Sequence, residues 1–282
     1  MKEILLFAIL PLDMKRDERA VLVERQVLSP DAFLLSFESP TLPTEFAPGQ
    51  FTMVRVATHG PLLRRPLSFC GSDPEAGRFS LLVKVVGEGT RALGELQLGG
   101  GVDCLGPLGT SFVPPSEPAR AVVVAGGVGI APFFGFCQEL ARRGHRAIVL
   151  LGGRSEQDLY LKDDFARLGM AVRCTTEDGT YGRRGLVTDL LVEVISNEGP
   201  YQLYSCGPSG MLKKAAFLAM ERSIPHQVSI ERRMGCGMGC CWGCVVFSGK
   251  PDESEGEYRR TCTEGPVFDA REIRWERDPH PL

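Results

Sequence analysis

Between residues 20 and 112 the chain runs in short stretches of β-forming apolar residues, each cut off by polar turn residues. The stretches 20–27, 32–38, 51–56, 66–71, 78–86 and 101–105 predict six strands, and their spacing suggests a small antiparallel barrel. Pro114-Pro115-Ser116-Glu117-Pro118 then reads as a linker. Beyond it, apolar runs at 121–125, 147–151, 171–175, 202–206 and 227–230 alternate with helical stretches at 131–143, 162–168, 186–196 and 209–222. Strands alternating with helices predict a parallel sheet with crossover helices. The remainder is short, rich in Cys and Gly, and is expected to fold only around a metal centre. The expected division is an N-terminal extension 1–19, a β-barrel domain 20–115, a Rossmann-like α/β domain 116–228 and a small C-terminal cluster domain 229–282.

Composition narrows the function classes. A chain of 282 residues with 43% hydrophobic content has room for two or three ordinary cores. A net charge of −3 gives no electrostatic reason to expect nucleic acid or an anionic membrane as partner. The apolar run 4–12 is too short to span a bilayer, and no small-residue cleavage site follows it. It reads as a surface segment, or as an overlong start with Met14 as the true first residue. Ten cysteines are too sparse for a disulfide scaffold, and reduced thiols point to the cytoplasm.

Four of those cysteines carry the strongest signal. Cys236, Cys241 and Cys244 stand as C-x4-C-x2-C, and Cys262 follows after 17 residues. A [2Fe–2S] cluster needs four thiolates, and plant-type ferredoxins take three from one tight loop and the fourth from a separate segment. Gly235, Gly237, Gly239 and Gly243 interleave with the cysteines and let the backbone wrap closely. A zinc site would more often pair two short Cys hairpins. Cys240, beside Cys241, makes the ligand assignment formally ambiguous; the plant-type spacing favours Cys241.

Three further motifs belong to the two larger units. The run 121–125 leads into Gly126-Gly127-Val128-Gly129-Ile130-Ala131-Pro132 and then an amphipathic stretch, the form of a phosphate-binding turn at a helix N-terminus. Close packing of a helix on a strand calls for glycine too, so this turn alone is weak evidence. Arg64-Arg65-Pro66-Leu67-Ser68 is a candidate flavin contact and Gly87-Glu88-Gly89-Thr90 a candidate diphosphate turn, though each is also a common surface or hairpin sequence. Tyr204-Ser205-Cys206-Gly207-Pro208 ends a strand where parallel sheets bind ligands, although a lone Cys is usually just a buried small residue.

In this order the motifs resemble the ferredoxin reductase superfamily, and within it the electron-transfer subunits of NAD-dependent dihydroorotate dehydrogenases. The resemblance covers residues 20–270 and is most specific over 229–244 and 262–268. It implies FAD, a [2Fe–2S] cluster and NAD, with Cys236, Cys241, Cys244 and Cys262 as cluster ligands; Cys240 falls where the family often has a small residue. It further implies that Arg65, Pro66, Leu67 and Ser68 line the flavin ring, with the Ser68 hydroxyl near its N5. Leu82, Val83, Lys84, Gly89 and Thr90 would hold the ribityl chain and diphosphate. Gly126, Gly127 and Gly129 would face the NAD diphosphate, and Cys206 and Gly207 would flank the nicotinamide. Leu67 stands where the wider superfamily prefers an aromatic residue. The implied partner is an FMN-containing catalytic subunit that oxidises dihydroorotate to orotate in pyrimidine biosynthesis, in a heterotetramer of two of each. Electrons would cross the cluster singly to FAD and leave as hydride to NAD⁺. Two other readings are a diaphorase-like subunit linking NAD(P)H to ferredoxin, where related subunits carry an Asp among the cluster ligands, and a flavin-free redox-sensing or structural metal protein. Arg154 in Gly152-Gly153-Arg154-Ser155 would either meet a 2′-phosphate or stack on adenine.

Overall fold

The computed structural model describes residues 15–56, 61–197, 199–249 and 255–277. The apolar run 4–12 and Met14 lie outside them. Strands β1 (Arg16–Ser29), β2 (Ala32–Glu38), β3 (Phe51–Val56), β4 (Arg65–Asp73), β5 (Arg78–Lys84) and β6 (Gly101–Leu108) close into a barrel in the order β1-β2-β5-β4-β3-β6. Every neighbouring pair is antiparallel. Alternate residues such as Leu35, Phe37, Phe69, Phe79, Leu81 and Val83 fill its interior, as the two-residue period of a strand requires.

Residues 16–19, expected in the extension, begin β1 and pair with β6 from Arg16↔Gly106 to Arg19↔Asp103. Two of their charges are satisfied locally. Arg64 donates two bonds to Asp17, and Glu18 accepts from Thr41 Oγ1 at 2.8 Å and from the Leu42 amide at 3.1 Å, at the start of helix α1 (Leu42–Glu45). Burial alone would raise the Glu18 carboxyl, but hydrogen bonds from Ser39, Leu42 and Thr41 hold it below the ordinary range. The expected turn 87–90 is instead the entry to helix α2 (Glu88–Glu95).

The second unit is built from β7 (Arg120–Gly126), α3 (Ala131–Arg142), β8 (Ile148–Gly153), α4 (Lys162–Arg167), β9 (Ala171–Thr176), β10 (Arg183–Arg184), α5 (Val187–Ile195), β11 (Tyr201–Cys206), α6 (Ser209–Glu221) and β12 (His226–Ser229). Its sheet order is β10-β9-β8-β7-β11-β12, all parallel. Val122, Val123 and Val124 in the central strand are wholly buried, as a strand covered on both faces demands. The order reverses between β7 and β11, so a crevice opens at their carboxyl ends.

The two units share one core. Ala32, Cys70 and Leu82 of the barrel belong to the same apolar cluster as Phe133, Phe136 and Tyr204. Gly135 of α3 permits the approach: a Cβ there would stand 3.3 Å from the Cys70 carbonyl oxygen.

The third segment supplies a hairpin of β13 (Val245–Ser248) and β14 (Glu257–Arg260), and then β15 (Val267–Asp269). β15 joins β12 antiparallel as the seventh strand of the second sheet, so this segment completes its neighbour. It is also tied to the barrel's end, where the Thr110 amide donates to the Gly265 carbonyl and the Thr110 hydroxyl to the Val267 carbonyl.

Candidate redox site

The hairpin explains the distant fourth cysteine. β13 leaves directly after Cys244 and β14 returns at Arg260, with Val245 opposite Arg260. The Thr261 amide and hydroxyl then donate to the Cys244 carbonyl at 3.0 and 2.9 Å, which brings Cys262 back beside Cys244. The sulfurs fall into two neighbouring pairs, Cys236 with Cys241 and Cys244 with Cys262. Two irons with two thiolates each fit that arrangement. A Cβ at Gly235 or Gly243 would stand 3.5 or 3.6 Å from the Cys241 sulfur, so the loop closes around that thiol with no side chain in the way. Cys240 lies outside these pairings; it is exposed, as are Cys241, Met238 and Trp242, and the Trp242 indole carries the Arg260 guanidinium at 4.6 Å. Cys244 and Cys262 are buried.

Next to the cysteine loop lies a small pocket of about 100 Å³ where all three segments meet. The barrel contributes Phe51, Pro66, Leu67, Ser68 and Leu82; the second unit contributes Gly129, Pro132 and Cys206; the segment leading to the cysteines contributes Glu231 and Met234. Ser68 sits opposite Phe51 in the β3–β4 ladder. Burial pushes the Cys206 thiol up to about 12, so it is a neutral, compact wall rather than a thiolate.

A larger cleft of about 580 Å³ continues from Cys206's neighbour Gly207 across the strand ends. Its floor holds the glycine turn, and the glycines there divide by role. A Cβ at Gly129 would stand 2.4 Å from the Cys206 carbonyl oxygen, and one at Gly126 would stand 2.8 Å from Pro208 Cδ; these two serve packing at the switch point. Gly207, at φ +146°, likewise lets its turn close on the Gly126 amide. Gly127 is different. It has φ +53° and open space where a Cβ would be, so its backbone is bared to the cleft. The far end carries Arg154, Asp158 and Glu177.

Arg65 and Gly89 meet directly, since a Cβ at Gly89 would stand 2.5 Å from Arg65 Nε, and the guanidinium therefore lies over the first turn of α2. The Thr90 hydroxyl is engaged within the chain: it accepts from the Val86 and Gly87 amides at 2.9 and 3.1 Å and donates to the Gly87 carbonyl. Val83, expected at the flavin, turns its side chain into the barrel core, because Leu82 and Lys84 take the outward positions of β5. Lys84 reaches the larger cleft instead and donates to Asp158 Oδ1 at 2.7 Å. Leu67 borders the small pocket.

Sequence reasoning passed over Glu231, which lines both cavities. Its side chain projects into open cleft yet stands deep among protein atoms, and this burial holds its carboxyl above the ordinary range. It lies just past the carboxyl end of β12, so the strand-end rule that picked out Cys206 also points to it. Phe51, Met234 and Asp158 carried no comparable signal, being apolar or one acid among many.

Comparison with known proteins completes the picture. Residues 19–112 match the oxidoreductase FAD-binding domain, 123–216 the oxidoreductase NAD-binding domain, and 231–274 the iron–sulfur cluster binding domain of dihydroorotate dehydrogenase B. The chain is 35% identical over 251 residues to the dihydroorotate dehydrogenase B (NAD(+)) electron transfer subunit of Desulforamulus reducens, covering 89% of this chain and 95% of that one. It is 36% identical over 259 residues to the subunit of the same name from Bacillus caldolyticus, covering 91% and 98%. The chain belongs to the dihydroorotate dehydrogenase B electron transfer subunit family. As a member of that family it is an oxidoreductase subunit with FAD-binding, NAD-binding and iron–sulfur domains. A solved structure of NADH-dependent reduced ferredoxin-NADP oxidoreductase is similar over 91% of this chain and 90% of its own, with 29% identity and a TM-score of 0.81. A ferredoxin reductase of carbazole 1,9a-dioxygenase shares the fold at 21% identity and a TM-score of 0.67, over 75% of this chain and 67% of its own. Among the described residues no helix is long and apolar enough to cross a membrane.

Proposed function

We propose that this chain carries electrons from a partner flavoprotein, which oxidises dihydroorotate to orotate on FMN, through a [2Fe–2S] cluster and FAD to NAD⁺. The observation that carries the reading is the pocket shared by Ser68, Cys206, Glu231 and Met234, where barrel, strand ends and cysteine loop converge. FAD, when bound, supplies the exchange between paired and single electrons. Cys236, Cys241, Cys244 and Cys262 would hold the cluster. Pro66, Leu67 and Ser68 would seat the flavin ring, while Arg65 and the amides at the start of α2 would hold its diphosphate. The bare backbone at Gly127 would take the NAD diphosphate, and Cys206 and Gly207 would set the nicotinamide against the flavin. The assembly would be cytoplasmic, with two of each subunit.

The test is anaerobic absorption spectroscopy of the purified chain, alone and with a dihydroorotate-oxidising subunit. FAD and two irons per chain are expected. NADH should bleach the flavin, and dihydroorotate should do so only when the partner is present. A second reading has support in the likeness to NADH-dependent reduced ferredoxin-NADP oxidoreductase: exchange with ferredoxin. Bleaching by reduced ferredoxin, with none by dihydroorotate plus partner, would favour it and overturn the first.

A further inference from the structure

Among the described residues, Phe51 and Met234 alone belong both to the flavin-side pocket and to the apolar core that encloses Cys244 and Cys262. That core also holds Met53 and Leu108 of the barrel, with Leu105 packed against it. The buried pair of thiols therefore faces the barrel through an apolar seam, while Cys236 and Cys241 stand on the outer side. The loop approaches the barrel closely at Gly237. A Cβ at Gly237 would stand 2.4 Å from Met53 Cγ, 3.0 Å from Met53 Sδ and 3.4 Å from Leu108 Cδ1. Met53 is wholly buried, and its Cγ lies near the root of the side chain, so it cannot swing clear of an added methyl. On the other flank Gly109 plays the same part, since a Cβ there would stand 2.5 Å from Pro266 Cδ.

We infer that the contact between Gly237 and Met53 fixes the separation of the cluster from the flavin, and that Gly237 is the positioning residue that makes this separation short. The inference rests on the cluster reading above. Electron transfer between centres weakens steeply with distance, so an extra atom in the seam acts on the rate of that step and leaves alone the hydride step, which Cys206 and Gly207 at the strand ends would serve.

The experiment is anaerobic stopped-flow absorption of the loaded chain. NADH gives up a hydride and becomes NAD⁺; of the two electrons delivered, one moves on to the diferric cluster and is read as its bleaching. With cytochrome c added as one-electron acceptor, two molecules are reduced per NADH. Met53→Phe, made on the barrel side, should leave flavin reduction by NADH and iron content unchanged while slowing cluster bleaching by roughly tenfold. Gly237→Ala should lower the ratio of cluster bleaching to flavin reduction by a similar factor. Adding Met53→Ala to Gly237→Ala should restore the ratio and raise the melting temperature of Gly237→Ala, because it relieves the clash without changing the φ of +73° at position 237. Unchanged bleaching in Met53→Phe with the cluster intact would overturn the inference and leave the functional reading standing, and so would a double variant no better than Gly237→Ala. A wild-type chain that binds no iron would overturn both.

Discussion

Each cysteine in the loop has a distinct environment, and chemistry should follow it. Cys240 and Cys241 are both exposed, but it is the Cys241 sulfur that lies beside Gly235 and Gly243 and neighbours Cys236. Cys240→Ser is expected to keep the visible absorption of the cluster and its two irons, and Cys241→Ser to lose both on purification. The reverse result would exchange the two assignments. Glu231 is a second case in which position overrides composition. Its surroundings raise its pKa above the ordinary range, but the residue is open to the cleft, so solvent screens most of the penalty on its charged form at neutral pH. Glu231→Gln should therefore change the melting temperature little at neutral pH while reducing flavin from NADH more slowly, the pattern of a residue that serves the site rather than the fold. A lower melting temperature would argue for a structural role.

At the scale of elements, the β11–β12 pair contains an unusual buried contact: Ser205 Oγ lies 2.7 Å from His226 Nε2, and His226 Nδ1 finds no hydrogen-bond partner among the described residues. Burial lowers the imidazole to about 4, with the charge of Asp269 opposing it. A depressed histidine is neutral in the fold and takes its proton more readily when unfolded. Its contribution is thus complete above the ordinary value of about 6.5 and is lost as pH falls toward 4, by about 3 kcal/mol. Melting temperature measured from pH 7 to pH 4 should show that decline, and His226→Gln should flatten it. Such contacts are invisible in a sequence, where His226 reads as one of four scattered histidines. The apolar runs were legible because their periods are local: the helix expected at 131–143 is Ala131–Arg142, and the strand at 202–206 is Tyr201–Cys206. The start of β1 was not, because Arg16, Asp17, Glu18 and Arg19 look like a solvated loop until Arg64 and Thr41 are brought to them. Nor was α2, whose entry Gly87-Glu88-Gly89 has turn composition and becomes helical through the Thr90 cap. The cysteine spacing was legible; the hairpin that closes it was not, being defined by pairing between Val245 and Arg260 across a sequence gap.

For the molecule as a whole, the barrel and the α/β unit act as one body because a shared core and the ion pair between Lys84 and Asp158 cross between them. Lys84 of β5 donates to Asp158, which also accepts from the Tyr160 hydroxyl at 3.3 Å and the Arg154 amide at 3.2 Å. Burial would lower the Lys84 ammonium, but Asp158 and Tyr160 hold it above the ordinary range, and Asp158 is correspondingly held low. Lys84→Ala should cost only about 1 kcal/mol, since the pair is partly open to water. Its larger effect should be on the loop carrying Arg154: a raised KM for NADH with kcat unchanged. An unchanged KM would show that the loop holds its place without the barrel. The third segment adds a different dependence. β15 begins five residues after Cys262 and covers the outer edge of β12. Iron loss would free Cys262, and with it the only strand hiding that edge among the described residues. An uncovered edge is a template for joining neighbouring molecules. Chelation or air damage should accordingly appear as light scattering in a concentrated sample, on the same time course as loss of colour, making the metal a safeguard of solubility as well as a carrier of charge.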